Sequence, residues 1–256
     1  MPRPLVSCLM VTRNRSALAR RAVQCFVMQS WEPKELVIVD DGHEDYEPML
    51  APFREQAIIH YHRFAPEPGR LLGAARNLSL DAAHGDYVVQ WDDDEWYHPE
   101  RIERQMRPVA EGFEGSVLRD TLMHLDTPEY VAHLYRTGLY RGTPGTVLHR
   151  RTSVRYPNLR RGEDTAYLCA LKRKVKLQLL PDSHLFIRCF HGSNTWESQH
   201  FVQRLWRNPK NLASFVKARL FARDLFAHSA FKLTPEERSA AARFLAESRA
   251  LGVIAS

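Results

Sequence analysis

No glycine occurs before Gly42 in this 256-residue chain. The first apolar stretch, 5–11, therefore runs into Thr12-Arg13-Asn14-Arg15 instead of a glycine-rich turn, which excludes the backbone phosphate cradles of dinucleotide-binding and P-loop sites. Cysteine is scarce too. Cys8, Cys25, Cys169 and Cys189 are far apart and form no C-x-x-C pair, so neither a zinc site nor a disulfide framework is indicated, and reduced thiols in a cytoplasmic protein are expected. No run approaches about eighteen apolar residues, and Met1-Pro2-Arg3-Pro4 opens no signal-peptide core. A soluble, unexported chain follows, with any membrane contact peripheral and on the inner face. Internal repeats and low-complexity segments are also missing.

A net charge of +6 is present, which implies a basic surface that attracts phosphates, anionic lipid or nucleic acid. The length suits one core with a C-terminal appendage. Apolar periodicity predicts strands over 5–11, 35–39, 57–62 and 87–91. Between them lie a helix over 16–29 with Ser16 as N-cap, a short helical stretch around Met49, Leu50 and Phe53, and a helix over 71–82 that stops before Gly85. Strand alternating with helix implies a parallel sheet covered on both faces, whose ligands bind outside the carboxyl ends of the strands. Asp40-Asp41 and Asp92 to Asp94 sit at two such ends and are expected to face one crevice. Beyond Pro99 the pattern predicts a helix through Ile102, Met106 and Val109, mixed strands over 117–125, 131–137 and 145–150, a helix over 165–174 opened by Gly162-Glu163-Asp164, and strands over 175–180 and 185–190. From about residue 199 the chain turns helical and basic. Thr234-Pro235-Glu236-Glu237 forms a capping box for the last helix, and Gly252 stops it.

The acidic run Gln90-Trp91-Asp92-Asp93-Asp94-Glu95-Trp96 carries the most chemistry. Clustered carboxylates repel one another and cost several kcal/mol each if buried unpaired, so at a strand end they suit a divalent cation. A solvated acidic turn is the alternative. Without a glycine cradle, a nucleotide diphosphate is best neutralised by a metal held on carboxylates, which this run supplies. On an extended strand the D-x-D spacing points Asp92 and Asp94 to one side and Asp93 away. Hard oxygen ligands shared with phosphates suit Mg2+ or Mn2+.

Taken together, the segments resemble the inverting nucleotide-sugar glycosyltransferases of family 2, with the GT-A fold: an α/β, Rossmann-like mixed sheet flanked by helices. Residues 6–15 look like that family's first strand and its Thr-x-Asn-Arg ending, and 35–42 like its second strand with a Val-Asp-Asp-Gly terminus. Gly73-Ala74-Ala75-Arg76-Asn77, leading to Gly85-Asp86-Tyr87, is similar to its Ala-Arg-Asn helix and Gly-Asp-Tyr. Asp92-Asp93-Asp94 resembles the D-x-D signature, Gly162-Glu163-Asp164 the acceptor-side acidic motif, and residues 188–196 a closing Arg-x-x-His-Gly-x-Asn-Thr segment. The likeness covers roughly residues 4–197 in the expected order.

The resemblance implies roles. Thr12, Asn14, Arg15, Asp41, Arg76, Asp92 and Asp93 would bind the nucleotide, with Asp41 accepting from the base imide and Arg76 pairing with Asp41 or reaching the diphosphate. Thr12 and Asn14 could equally make local bonds that end a strand. Asp94, Asp92 and His191 would hold the metal, Asp94 most directly, and an imidazole there tilts the choice toward Mn2+. Asp164 would be the single base that inversion needs, with Glu163 supporting or binding acceptor; helix capping explains the same pair without catalysis. The implied domains are 1–198, with a nucleotide half (1–98) and an acceptor half (99–198), and a basic helical extension, 199–256. Its interleaved Arg, Lys and aromatic residues over 199–232 suit either an anionic membrane or packing on the core or on a second copy in a homodimer. The donor implied is a nucleotide sugar, UDP first, and the acceptor a hydroxyl on a saccharide, a lipid-linked glycan or another molecule; no nucleic acid is expected. The competing functions are a sugar-phosphate nucleotidyltransferase, which needs the missing glycine-rich loop, and a non-catalytic nucleotide or nucleic-acid binding module, for which no base-stacking or helix-turn-helix pattern is present.

Overall fold

A computed structural model describes residues 2–159, 161–191 and 225–254. Among these residues the chain runs β1 (Val6–Thr12), α1 (Ser16–Val27), β2 (Lys34–Asp40), α2 (Glu47–Leu50), β3 (Ile59–Arg63), α3 (Leu72–Asp81), β4 (Tyr87–Gln90), β5 (Trp96–Tyr97), α4 (Arg101–Ala110), β6 (Gly115–Leu118), β7 (Asp120–Leu125), β8 (Leu134–Gly138), β9 (Leu148–Arg150), α5 (Glu163–Leu171), β10 (Leu177–Leu180), β11 (Phe186–Phe190) and α6 (Pro235–Ala250). A seven-stranded sheet has the order β10-β6-β9-β4-β1-β2-β3, and a four-stranded sheet the order β5-β11-β7-β8. In the larger sheet β4, β1, β2 and β3 are parallel, as strand–helix alternation requires. β9 is antiparallel to both β4 and β6, so the whole sheet is mixed.

The central strands are apolar on both faces because both are covered. Cys8, Met10, Leu36, Ile38 and Val89 turn toward α1 residues such as Ala22 and Phe26, while Leu9, Val37 and Val88 turn the other way toward Leu80, Tyr167 and Leu171 of α3 and α5. Two expectations change. The strand expected over 117–125 is two: β6 joins the larger sheet and β7 the smaller, with Arg119 between them donating its N–H to Leu180 O at 2.7 Å and accepting from Leu139 N at 3.0 Å. The charged pair Arg119-Asp120 marks the break, where the chain leaves one sheet for the other. Ser16 is not the N-cap of α1 but its first residue; its N–H is satisfied from outside by Glu44 Oε2 at 2.9 Å, so no local cap is needed.

The capping box of α6 is formed, with Thr234 Oγ1 accepting from Glu237 N and Glu237 accepting from Thr234 N. This helix packs on the same core as the sheet: fully buried Phe244 meets Trp96 and His124 edge-on. Trp96 Nε1 donates to Glu247 Oε2 at 2.7 Å, and Glu237 binds both Arg136 and Ser183. The basic, aromatic stretch from Arg204 through residue 224 lies outside the described residues, as do residues 192–196 of the closing motif. Among the described residues no helix is long and apolar enough to cross a membrane.

His149, on β9, gives the fold an acid limit. Its ring is buried, donating from Nδ1 to Arg150 O at 2.7 Å and accepting at Nε2 from Tyr167 Oη at 3.0 Å. Burial lowers its pKa from 6.5 to about 4. Between those values the unfolded chain binds a proton that the folded chain refuses, so this contribution is complete above pH 6.5 and lost as pH falls toward 4. His149→Gln, which keeps a neutral donor and acceptor, is expected to remove about 2 kcal/mol of the stability difference between pH ~6.5 and ~4.5, read from urea unfolding at both pH values. Equal pH slopes in the two proteins would contradict this.

Candidate active site

The carboxyl ends of β1, β2 and β4 open on a cleft of ≈ 540 Å³ whose far wall is the start of α5. The two acidic strand ends do face it together: Asp41, Asp92, Asp93 and Asp94 line it with Glu95, Glu163 and Asp164. Six arginines (Arg13, Arg15, Arg70, Arg76, Arg161 and Arg188) share the walls, so fixed charges of both signs are interleaved.

β2 ends in a tight turn. Asp40 is fully buried, accepting from Gly42 N at 2.8 Å and from Tyr61 Oη at 2.7 Å, which makes it part of the turn. Gly42 has to be glycine, because a Cβ would come within 2.6 Å of Asn14 Oδ1 and 2.8 Å of Asn14 N. Asn14 adopts a left-handed φ of 52° and accepts from the N–H groups of His43 (2.6 Å) and Glu44 (3.1 Å). It therefore locks the turn beneath Asp41 and does not line the cleft, the local bonding that its residue type also allowed. Asp41 itself is held by Arg13 through two hydrogen bonds of 2.8 and 2.6 Å, with Arg70 Nη1 at 3.8 Å.

The acidic run departs from its expected geometry. β4 ends at Gln90, so Asp92 to Asp94 belong to a turn where strand alternation no longer applies, and all three side chains reach the cleft. Each has its own partner. Asp92 Oδ1 pairs with Arg76 Nη2 at 2.9 Å; Asp93 accepts from Thr12 Oγ1 at 2.6 Å; Asp94 Oδ2 meets Arg15 Nη1 at 3.1 Å and His191 Nε2 at 3.2 Å. Arg21, buried on α1, fixes the turn by donating to Asp94 O at 2.6 Å. Arg76 does not pair with Asp41. Being one turn into α3 it faces Asp92, and its Nε lies 3.6 Å from Glu163 Oε1, so one guanidinium spans the acidic run and α5. That Nε makes no hydrogen bond although it is buried.

The crowding shows in the titration of the run. Burial, then the charge of Asp94, pushes Asp93 up. Burial opposes ionisation of Asp94 as well, but the hydrogen bond from His191 and the charge of Arg15 outweigh it and hold that carboxyl low. Glu163 is raised by burial despite Arg76, whereas half-buried Asp164 accepts from Thr165 N at 2.6 Å and turns an edge to the cleft. Gly162, at φ 78°, supplies the left-handed entry to α5 that puts both carboxylates on its first turn.

Donor chemistry decides what the run can hold. Asp92 and Asp94 of the turn with His191 after β11 are a mainly hard oxygen set with one borderline nitrogen, which would suit Mn2+ and accept Mg2+. Asp93 is raised by burial first and by the charge of Asp94 second, so the turn crowds carboxyl groups in a partly dry site. Several cleft residues have no assigned role from sequence. Glu95 accepts from Cys189 N at 2.6 Å and lies 3.4 Å from Arg188, bracing β11 beneath the run. Arg188 is a lone cation in an otherwise apolar strand, a signal that was available; Arg70 lies in an aperiodic loop and had none.

Comparison with known proteins follows the same lines. The family model described as "Glycosyl transferase family 2" matches residues 7–156. The protein CgeD of Bacillus subtilis is 26% identical over 163 residues, 57% of this chain and 38% of CgeD. An uncharacterized glycosyltransferase of Haemophilus influenzae is 23% identical over 224 residues, 80% of this chain and 87% of that protein. The chain thus spans well under half of CgeD's length. Among solved structures, S. aureus TarS in complex with UDP superposes with a TM-score of 0.60 at 16% identity, covering 91% of this chain and 76% of that one. The mannosyltransferase PcManGT of Pyrobaculum calidifontis, in complex with GDP-Man and Mn2+, gives 0.55 at 17% identity, covering 99% and 81%. These likenesses bear out the GT-A architecture expected from the sequence.

Proposed function

The chain belongs to glycosyl transferase family 2, and we propose that it is a metal-dependent, inverting transferase that moves a sugar from a nucleotide diphosphate, UDP first, to an acceptor hydroxyl. The observation that carries this reading is Arg76: at 2.9 Å from Asp92 and 3.6 Å from Glu163, it ties the acidic turn to the acceptor-side helix across one cleft. Structures of TarS with UDP and of PcManGT with GDP-Man and Mn2+ support nucleotide and metal use by proteins of this shape.

Residues 1–98 are assigned the donor and 99–198 the acceptor. Asp41, with Thr12 and Arg15 nearby, serves the nucleoside end. Asp94, Asp92 and His191 would hold Mn2+ or Mg2+, and such an ion supplies positive charge to the departing diphosphate. Arg15 and Arg76 hold the carboxylates in place and add charge where the phosphates leave. Asp164 accepts the proton of the acceptor hydroxyl as its oxygen bonds to the anomeric carbon; the bond from that carbon to the phosphate oxygen breaks on the opposite face, and its electron pair leaves with the diphosphate. Glu163, raised by burial and set against Arg76, positions that base and the acceptor.

Thermal-shift measurements with UDP, GDP and dTDP, each with and without Mn2+, test the assignment. Nucleotide plus metal should stabilise the chain by about 2.7 kcal/mol at a hundred times Kd, and neither alone should match it. No response to any pair would favour a binding module of another kind.

A further inference from the structure

A second cluster of metal-ligating side chains lies at the opposite end of the sheet from the cleft. Glu35 is at the start of β2, His60 at the start of β3, and His84 in the turn before β4. Parallel pairing brings these amino-terminal ends together, with Ser7 of β1 opposite Glu35. The Glu35 carboxylate is buried, and its two oxygens do different things. Oε1 accepts from Ser7 Oγ at 2.6 Å and from His84 N at 2.7 Å, which fixes the group. Oε2 faces two imidazoles, with His60 Nε2 at 3.1 Å and His84 Nδ1 at 3.2 Å. All three ligand atoms lie within 4.8 Å of one another.

We propose that Glu35, His60 and His84 form a Zn2+ site that clamps β2, β3 and the turn before β4. Two imidazole nitrogens and one carboxylate oxygen are a donor set that Zn2+ takes with a fourth position left to water. The spacing fits: a tetrahedron with bonds of ~2.0–2.1 Å has edges of about 3.3–3.4 Å, close to the two separations from Oε2. The Ser7 hydroxyl and the His84 amide orient the carboxylate as the outer partners of a metal ligand do. His84, 64% exposed at its side chain, leaves the fourth position open to solvent. Cysteine spacing does not reveal such a site, because no thiolate takes part.

Calorimetric titration of Zn2+ into the metal-stripped full chain tests this, using H60A and H84A, whose side chains are at least partly exposed, and D94N as a control for the cleft. Wild type and D94N should each take up one equivalent that H60A and H84A bind at least about 100-fold more weakly, since even the outer partners of a ligand are worth about 10–100-fold. Thermal midpoints in excess Zn2+ should rise for wild type and stay flat for both histidine variants, while nucleotide-sugar turnover supported by Mn2+ is unchanged in them. Zn2+ uptake that is the same in wild type, H60A and H84A, or no stoichiometric uptake by wild type, overturns the proposal.

Discussion

Asp94→Asn is expected to lower metal-supported sugar transfer by about 10²–10³-fold or more while leaving the fold in place, the range for losing one element of transition-state charge stabilisation. The hydrogen bond from His191 and the charge of Arg15 hold the Asp94 carboxyl low against its burial, so its charge is available to a cation. The amide keeps the volume and one acceptor oxygen but removes the charge. Stability should change less than activity, because Arg21 still fixes the turn through the Asp94 carbonyl when the side-chain contacts to Arg15 and His191 are weakened. The expected pattern is a near-zero kcat that rises only at very high Mn2+, with a thermal midpoint near that of wild type. Wild-type turnover at ordinary Mn2+ would remove Asp94 from the metal site.

Asp164→Asn should reduce transfer by about 10²–10⁴-fold, the contribution of a positioned general base, and leave nucleotide-plus-metal binding as it was. Asp164 hydrogen-bonds to Thr165 on its own helix. Glu163 is the buried neighbour of Arg76, so Glu163→Gln disturbs the bridge to Asp92 and should weaken donor binding as well as turnover. The two variants therefore separate base from support. If Asp164→Asn transfers normally and Glu163→Gln fails only in turnover, their roles are exchanged.

The first hundred or so residues were legible because their signals are local. β1, β2 and β4 are short apolar runs that stop at polar residues, and the turn after β2 announces itself with Asp-Asp-Gly, where Gly42 has no room for a side chain. What escaped depends on contacts between distant segments. Strand alternation points Asp93 away from Asp92 and Asp94, yet the strand ends at Gln90, and Thr12 of another strand draws Asp93 inward. For Arg76 the sequence leaves open a pairing with Asp41 or a reach to the diphosphate; its register on α3 turns it to Asp92 and Glu163. The switch from β6 to β7 falls at Arg119-Asp120, a charged pair that shows a break but not that the two strands join different sheets. Glu35, His60 and His84 are separated by more than twenty residues at each step, and only parallel register assembles them.

Release of nucleoside diphosphate from a UDP-sugar, followed in excess chelator and again after Mn2+ is restored, tests the role of the acidic turn most directly. The account predicts turnover that falls to background without the ion and returns with it in the wild-type chain but not in Asp94→Asn. Full turnover in chelator would contradict it.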